Sequence, residues 1–390
     1  MNRWAVIACD QFTSQPEYWR NVKFFSENYP SAYNLILPEA ELETATQERI
    51  SQINSSMKNY LDNNIFHEYK NSYVYIERTL LNGDIRKGIV GVIDLDEYDY
   101  RTGFSPKIRA TEKTVSERIP PRKRVRENAI LELSHVILLC DDKQKTLIES
   151  FNDKKSLLKK IYDFDLMLDG GNIKGWLVDG KFAEDFDSKM QNYISSKQNS
   201  SLTFAVGDGN HSLAAAKACY LENPEKISKY AMVELENIHD DALKFEPIHR
   251  IIKNVNPEVI IENIKSDLCS QNKNNTFELK YYFADKYGTL YLRKNLGASA
   301  LNIIQKYLDE KNFEIDYIHD IDALKTLSSK SGNLGFEMPP FDKKAKLEFF
   351  DLIAASGTLP RKTFSMGHAQ EKRYYIEARL IRKDFYNHAC

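Results

Sequence analysis

Short apolar runs alternate with amphipathic segments along the whole chain, and this pattern predicts a mixed α and β structure. The most informative stretch is 202–221, in which an apolar run ends at Val206, two glycines flank Asp208, and an alanine-rich segment precedes Pro224. The run predicts a buried strand, the glycines predict a tight turn, and the alanines predict a helix. We therefore expect a strand, a turn and a helix to meet at residues 207–212, which we call the glycine turn.

The same patterns predict the other elements of the chain. Strands are expected at residues 4–8, 35–37, 73–81, 85–95, 134–140, within 163–178, and at 230–235, 277–284, 289–293, 313–319, 333–338 and 373–381. Helices are expected at residues 38–61, 143–162, 181–196, 298–310, 321–329 and 343–355, and from residues 16 and 257 onward. The pattern of apolar runs and turn residues changes after residue 252. We therefore expect a larger domain at 1–252 and a smaller C-terminal α+β lobe at 253–390.

Composition narrows the class of protein. The 390 residues suffice for two domains, 42% of them are hydrophobic, and the net charge at pH 7 is −2. These values predict a globular protein without a global field that would attract nucleic acid or a membrane. No apolar run has membrane-spanning length, and the first one is too short for a secretory leader. The five scattered cysteines are typical of reduced thiols, so we expect a cytoplasmic protein without a disulfide framework or a zinc site.

The glycine turn concentrates residues that can bend the backbone or hydrogen-bond a ligand. They are Gly207, Asp208, Gly209, Asn210, His211 and Ser212. Glycine permits positive φ angles and close approach to a ligand, and the first N–H groups of a helix, with the helix dipole behind them, favour an anion. The alternative is that Asp208 or Asn210 only caps the helix and the glycines only turn the chain. The local sequence leaves both interpretations open.

A second candidate region is the charged segment 107–128, in which two adjacent prolines prevent one continuous helix. Arg118 and Arg122 are four residues apart and would lie along one helix face, with Arg109 earlier in the segment. Guanidinium groups bind phosphate and carboxylate through paired hydrogen bonds. Glu112 and Glu117 are candidate proton acceptors or metal ligands. The alternative is an ordinary solvated charged surface.

Five further residues are candidates for substrate contacts because they lie where predicted strands or loops end. They are Asp10, His249, Arg250, Arg361 and Lys362. The alternatives are an ordinary strand-to-helix loop, a structurally packed histidine and a basic surface loop. The chain contains neither a GxxxxGK[ST] nor a GxGxxG motif, so ordinary NTPase and dinucleotide-binding interpretations lack support.

Strings spread over nearly the whole chain carry a resemblance to a known family. They are residues 92–98 before 109–112, then 118–122, 126–128, 162–171, 206–212, 245–250, 338–340 and 359–364. Together they resemble a bacterial family known as domain of unknown function 1015. Many members carry Asp-Gly-His-His-Arg where this chain has Asp208-Gly209-Asn210-His211-Ser212. Ser212 stands in place of an arginine, so no role of that arginine carries over.

The central motif of that family is similar to that of the ParB/sulfiredoxin-like superfamily, in which a turn at a helix N-terminus binds a phosphate or nucleotide. The superfamily includes partition proteins that bind CTP, sulfiredoxin, and an archaeal free-serine kinase. The resemblance therefore implies an α+β fold whose 1–252 domain has a ParB/sulfiredoxin-like core. It also implies a small-molecule phosphotransferase that acts on serine or phosphoserine in serine metabolism.

Under this hypothesis each candidate residue has a role in phosphoryl transfer. The backbone amides of 209–212 would hold the phosphates, and Asp208 would bind Mg²⁺. The phosphate charge would be neutralised by Arg109, Arg118 and Arg122. Glu112 would accept the proton of the serine hydroxyl, with His211 as the alternative acid or base. The phosphoryl donor would be a nucleotide or another phosphorylated compound.

The expected partner is accordingly a phosphorylated small molecule, with no nucleic acid and no membrane, and a homo-oligomer stays open. The alternative function is a non-catalytic binding protein that senses a nucleotide or phosphate. These two hypotheses differ in one observable, because only the first predicts a chemical product.

Overall fold

A computed structural model of the protein describes residues 2–7, 12, 15–42, 44–101, 104, 106–133, 136–198, 200, 202–297, 299–340, 343–360 and 362–388. The chain divides into two compact units. Unit 1 comprises Met1–Leu243 and Gly367–Cys390, and unit 2 comprises Lys244–Met366. Unit 2 starts close to the domain boundary that the sequence predicts at residue 252, but the C-terminal segment of the chain returns to unit 1.

The α+β fold class that the sequence predicts is confirmed. In the described ranges the α-helices are α1 (Pro16–Ser26), α2 (Gln47–Asp62), α3 (Ile119–Arg126), α4 (Gly180–Ser196), α5 (Asn210–Glu222), α6 (Pro257–Leu268), α7 (Ala300–Glu310), α8 (Ile321–Ser328) and α9 (Lys343–Ser356). No helix of these ranges is long and apolar enough to span a bilayer.

Strands lie in both units. Unit 1 contains β1 (Tyr73–Thr79), β2 (Ile85–Asp94), β3 (Tyr98–Asp99), β4 (Ile108–Ala110), β5 (Leu131–Leu133), β6 (Ile137–Cys140), β7 (Lys159–Asp165), β8 (Asn172–Val178), β9 (Phe204–Asp208), β10 (Tyr230–Asn237) and, after unit 2, β18 (Ala378–Leu380). Unit 2 contains β11 (Phe245–Pro247), β12 (His249–Ile252), β13 (Thr276–Phe283), β14 (Lys286–Arg293), β15 (Ile315–Ile318), β16 (Leu334–Glu337) and β17 (Phe364–Met366).

Unit 1 is built on a mixed sheet with the strand order β3-β4-β9-β6-β10-β2-β1-β8-β7. The hairpin β1–β2 turns at Gly83, where φ is +86°, as the Asn-Gly signal in the sequence predicts. One face of the sheet packs against α4 through Phe186 and Tyr193, and against α5 through Leu213. The other face is covered by α1 and the C-terminal segment around Tyr374. Apolar burial on both faces explains why the central strands read as nearly continuous hydrophobic runs.

Unit 2 has its own sheet, in the order β14-β13-β16-β12-β15, and a small antiparallel pair formed by β11 and β17. Its core contains Leu279 and Leu290 of the β13–β14 hairpin, Ile264 of α6 and Ile304 of α7. The strands predicted at 277–284 and 289–293 are therefore confirmed, and they pair as a hairpin. So are the predicted helices at 298–310, 321–329 and 343–355, to within two residues at each end.

The prediction of a helix at 143–162 is wrong. The Asp142 carboxylate accepts the N–H groups of Thr146 and Leu147, at 2.6 and 2.8 Å, and so closes a local turn. Two single-turn 3₁₀ segments follow, and β7 already begins at Lys159. The apolar spacing fits a helix, but a side chain that competes for the backbone N–H groups diverts the chain into short turns.

Four further predicted elements also differ from the structure. The sequence predicts a strand at residues 35–37, but a 3₁₀ turn, Ala32–Leu35, occupies this region and is capped by Ser31. The predicted helix at 38–61 begins only at Gln47. The strands predicted at 4–8 and 373–381 contribute a single bridge between Val6 and Tyr375, together with the three residues of β18. Short apolar runs do not distinguish a strand from a buried turn, because both bury the same side chains.

Candidate functional site

The glycine turn has the predicted geometry: β9 ends at Asp208, Gly209 is the N-cap, and α5 begins at Asn210. Gly209 has φ +82° and ψ +21°, in the left-handed region that non-glycine residues adopt only at a cost. A Cβ at this position would lie 3.0 Å from both Cα and Cγ2 of Val136. The backbone conformation therefore favours glycine here, and the close packing against Val136 adds to that preference.

Helix α5 is fixed rigidly behind the turn. Its residues Leu213, Ala214, Ala215 and Ala216 are all buried. Ala214 and Ala215 contact Ile119 of α3. The residues of the turn itself, 207–212, are only half-buried. A buried helix with an accessible N-terminus presents its positive dipole end to solvent at a fixed position, which favours an anion.

A lysine from the other end of the chain lies at this turn. The Nζ of Lys372 is 3.3 Å from Oδ2 of Asp208, and the Lys372 side chain is only 10% exposed. The other carboxylate oxygen of Asp208 accepts the N–H of Gly209 at 2.9 Å. No local pattern singles out Lys372, because only the fold brings positions 208 and 372 together.

The His211 ring anchors the neighbouring segment of the chain. Its Nε2 accepts the N–H of Val115 at 3.1 Å, which places the proton of a neutral ring on Nδ1. The hydroxyl of Thr111 donates to the carbonyl of Val206 at 2.9 Å. Both contacts hold residues 111–115, which include Glu112, against the glycine turn. His211 therefore acts here as a positioning residue for the segment that carries the predicted base.

Arg109 lies on β4, directly beside β9, where it is paired in register with Ala205. The residue is 6% exposed, and burial lowers the pKa of its guanidinium from the usual value. An irregularity in the pairing of β6 with β9 sets Asp208 opposite Ile137 and Ala205 opposite Leu139, so Asp208 and Ala205 share a face of the sheet. Arg109 lies on that same face and is therefore a second cationic residue in the region of the turn.

The same face continues into a buried charged row that sequence reasoning missed. Arg86 Nε lies 2.9 Å from Oε1 of Glu236, and both side chains are almost fully buried. Arg373 binds Glu234 and, at 2.7 Å, Oε2 of Glu377. Burial raises the pKa of Glu236 well above its usual value. Burial opposes ionisation of Glu234 as well, but the charges of Arg373 and Arg86 outweigh it and lower the pKa of this carboxyl.

The arginines of the predicted basic face already have carboxylate partners. Arg122 binds both oxygens of Glu39 and donates to the Arg118 carbonyl at 2.7 Å, and Arg118 lies 3.4 Å from the same carboxylate. Arg122, Glu39 and Ser212 line one cavity of about 140 Å³. The structure thus places Arg122 and Ser212 on one cavity and adds Glu39, which sequence reasoning did not single out.

Five residues predicted to contact substrate remain. Asp10 and Arg361 fall outside the described residues. His249 lies on β12 of unit 2, accepts the N–H of Met338 at 3.1 Å through Nδ1, and has a pKa lowered by burial. Arg250 is fully buried and donates to Gln305 at 2.8 Å. Lys362 belongs to unit 2 and has φ +57°. Their substrate-binding roles stay predictions.

A larger groove of about 2130 Å³ in unit 1 is lined by other residues, among them Arg3, Trp4, Phe66, Tyr69 and Val92. None of the predicted site residues in the described part of the chain lines it. We place the candidate site at the glycine turn in spite of the size of this groove, because the turn combines a helix N-terminus with converging cationic and acidic side chains.

The described residues contain no group of three or more His, Cys, Asp or Glu side chains arranged to hold a metal ion. Mg²⁺ commonly uses one or two carboxylates together with the phosphates of its ligand. Asp208 fits that limited role, because its side chain is about 30% exposed and lies at the helix N-terminus. A metal ion here would therefore arrive with a phosphorylated ligand.

Comparisons with known proteins give one family and several remote structural likenesses. A family model described as "Protein of unknown function (DUF1015)" matches residues 1–311. No curated protein matches the chain. Among solved structures, C-terminally truncated SbnI from Staphylococcus aureus is 12% identical, with 71% of this chain and 81% of that chain covered and a TM-score of 0.38.

Two further solved structures are similarly remote. A conserved hypothetical protein from Pyrococcus furiosus is 11% identical, covers 75% of this chain and 95% of its own, and has a TM-score of 0.36. A mutant free serine kinase in complex with ADP is also 11% identical, with 76% of this chain and 92% of that chain covered and a TM-score of 0.39. These values are too low to transfer a function, so any function has to be argued from the site.

Proposed function

Because the chain belongs to the protein family of unknown function DUF1015, which brings no activity with it, we propose a function from the site: the glycine turn binds a phosphorylated small molecule, and unit 1 transfers its phosphoryl group to a hydroxyl. The favoured acceptor is serine, and the favoured donor is a nucleotide. The ParB/sulfiredoxin-like core is part of this proposal.

One observation carries the proposal. The N-terminus of the thirteen-residue helix α5 is held by a left-handed Gly209 packed closely against Val136, Lys372 adds a cationic side chain beside Asp208, and Arg109 lies on the neighbouring strand β4. A phosphate placed there would meet backbone N–H groups, a positive dipole end and side-chain cations together. Anion binding is the interaction that this combination favours most.

Two acidic residues, one in the glycine turn and one in the segment held against it, supply the proposed base and the proposed metal ligand. Glu112, held in place by the bonds of its neighbours to His211 and Val206, is the candidate base. In the proposed step the hydroxyl oxygen of serine forms a bond to phosphorus, the bond to the donor oxygen breaks, and the hydroxyl proton passes to Glu112. Asp208 would hold Mg²⁺ together with the phosphates, where the ion neutralises charge.

The test is a turnover assay on the full chain. The protein is incubated with Mg²⁺, serine and, in turn, ATP, ADP or pyrophosphate, and phosphoserine is followed by ³¹P NMR. We expect product with at least one donor, and a loss of about 100-fold or more in Glu112→Gln. Glu117→Gln is the matched control, since Glu117 is an exposed acid of the same segment. Equal activity in both variants would remove Glu112 from its role.

A second function is favoured by one specific observation. Arg118 and Arg122 already bind Glu39, and Asp208 already binds Lys372, so the charges near the turn are satisfied without a substrate. Such a site suits a sensor that exchanges internal ion pairs for a bound phosphate. The sensor predicts a rise in melting temperature with a nucleotide or pyrophosphate and no phosphoserine. If neither a product nor a thermal shift appears, both functions are refuted.

A further inference from the structure

A buried arginine holds the segment that delivers Lys372. The guanidinium of Arg78, on β1, donates to the carbonyls of three consecutive residues, Gln370, Glu371 and Lys372. It also donates twice to the Gly170 carbonyl, at 3.0 and 3.3 Å. Every one of these acceptors is a backbone oxygen. Arg78 therefore fixes the position of the backbone at 370–372, whatever side chains these residues carry; we call this set of bonds the backbone clamp.

A second arginine reinforces the clamp. Arg86 lies opposite Arg78 in the β1–β2 pair and donates to the Glu371 carbonyl at 2.7 Å. Arg78 is 2% exposed, and its guanidinium lies 4.9 Å from the centre of the Tyr374 ring. The two arginines lie next to each other inside the protein: Glu236, 2.9 Å from Arg86 Nε, offsets one charge, and backbone carbonyls accept the hydrogen bonds of Arg78.

We propose that Lys372 is the phosphate-binding lysine of the glycine turn and that Arg78 is the positioning residue that places it there. This inference rests on the proposed function, since it names the cationic group that the bound phosphate would contact. Arg78 acts through the backbone of 370–372 and does not touch the ligand itself. An arginine on β1 and a lysine far along the chain thereby become parts of one site.

The chemistry of Lys372 suits this role. Its ammonium group has three donors and a flexible stem, and its Nζ lies 3.3 Å from Oδ2 of Asp208, which is a long contact for a charged pair. When a phosphate arrives, the ammonium can turn from Asp208 to the phosphate without any movement of the clamped backbone. The Asp208 carboxylate is then released to hold a Mg²⁺ ion that accompanies the phosphate.

The experiment measures binding of inorganic pyrophosphate and of ADP to the full chain by calorimetry. Lys372→Met should weaken the Kd by about 10- to 100-fold, the cost of one charged hydrogen bond, and Lys372→Arg should restore part of the loss. Lys229→Met is the matched control, because Lys229 forms a comparable ion pair with Asp94 at 2.7 Å in the same unit. The control should bind as the wild type does.

The positioning role has its own readout. In an Arg78→Lys background, Lys372→Met should have no further effect on the Kd, because the lysine is already displaced. A merely structural Arg78 would lower the melting temperature and leave the contribution of Lys372 intact, which would overturn this half of the proposal. Where Arg78→Lys does not fold, Arg86→Lys takes its place, because Arg86 donates to the Glu371 carbonyl of the same segment at 2.7 Å. In that background Lys372→Met should lose part of its effect on the Kd, and an undiminished effect overturns the positioning role of these arginines.

Different results refute the proposed function and the role of Lys372. If neither pyrophosphate nor ADP binds the wild type, the proposed function is refuted and this inference with it. If the wild type binds and Lys372→Met binds equally well, only the role of Lys372 is refuted and the glycine turn keeps its proposed function.

Discussion

Gly209→Ala tests whether the glycine turn has the geometry described here. Alanine at this position would keep φ near +82° and would place its Cβ 3.0 Å from Cα and Cγ2 of Val136. The matched control is Gly83→Ala in the β1–β2 hairpin, where φ is +86° and no atom lies within 4 Å of the added Cβ. Both glycines belong to unit 1, so both changes report on the same folding unit.

Both variants place a non-glycine residue in the left-handed region, but only Gly209→Ala also brings its Cβ against a neighbouring residue. A left-handed non-glycine residue costs about 1–2 kcal/mol, and alanine recovers about 0.4–1 kcal/mol by restricting the unfolded chain. Only Gly209→Ala adds overpacking, because a backbone atom of Val136 cannot swing aside as the end of a flexible side chain can; this adds about 1–3 kcal/mol. We therefore expect Gly209→Ala to lose about 1–3 kcal/mol more stability than Gly83→Ala.

The measurement is urea unfolding of the wild type and both variants, followed by fluorescence and by circular dichroism so that the transition of unit 1 is identified. Binding of pyrophosphate to the same three proteins is then measured by calorimetry. Gly83→Ala should bind as the wild type does, whereas Gly209→Ala should bind more weakly because the start of α5 has shifted. Equal losses of stability in the two variants would refute the close contact with Val136, and unchanged binding in Gly209→Ala would refute the role of the turn.

The other predictions concern charges near the site. Arg373→Met should cost about 3–5 kcal/mol in thermal unfolding, because it leaves Glu234 buried and uncompensated, and Glu234→Gln in the same protein should recover part of that loss. Burial raises the pKa of Glu236 from 4.5, so stability should fall as the pH rises above 4.5, and Glu236→Gln should flatten this slope in unfolding measured across pH. Glu39→Gln should tighten pyrophosphate binding about three- to fivefold at low salt in calorimetry, since Arg122 loses its carboxylate partner.

Each of these predictions has a clear contrary result. A loss below about 1 kcal/mol in Arg373→Met would mean that Glu234 is not desolvated as described. A steeper fall of stability with pH in Glu236→Gln would reverse the sign argued above, because the raised pKa of this carboxyl makes the folded protein hold a proton that the unfolded chain releases. Unchanged binding in Glu39→Gln would show that the arginines of α3 do not face the ligand.

The elements that the sequence determined are those with strong local signals. The glycine turn, the hairpin at Gly83 and the helix α4 lie where the pattern places them, because turn residues and apolar periodicity act over a few neighbouring positions. The choice of the turn as a candidate anion site also depends on local sequence, since a left-handed glycine before a helix is a property of adjacent residues. Whether that site is used stays a prediction.

Apolar spacing and charge spacing failed where a side chain outside the pattern supplied the partner. The helix predicted at 143–162 is replaced by turns closed by the side chain of Asp142, which the apolar spacing does not record. The spacing of Arg118 and Arg122 predicts one helix face, but Glu39, the carboxylate that binds them, comes from a distant part of the chain. A charged residue looks the same in sequence whether it is solvated or paired.

The tertiary structure alone decided which charges surround the turn. Arg78, on a strand near the start of unit 1, fixes the backbone at 370–372 after the chain has passed through the whole of unit 2. That contact puts Lys372 beside Asp208, across 164 positions of sequence (372 − 208). Periodicity and turn residues act over a few neighbouring positions, whereas an ion pair depends only on distance in space. The strand and the helix of the site could therefore be predicted from the sequence, but the ion-pair partners around it could not.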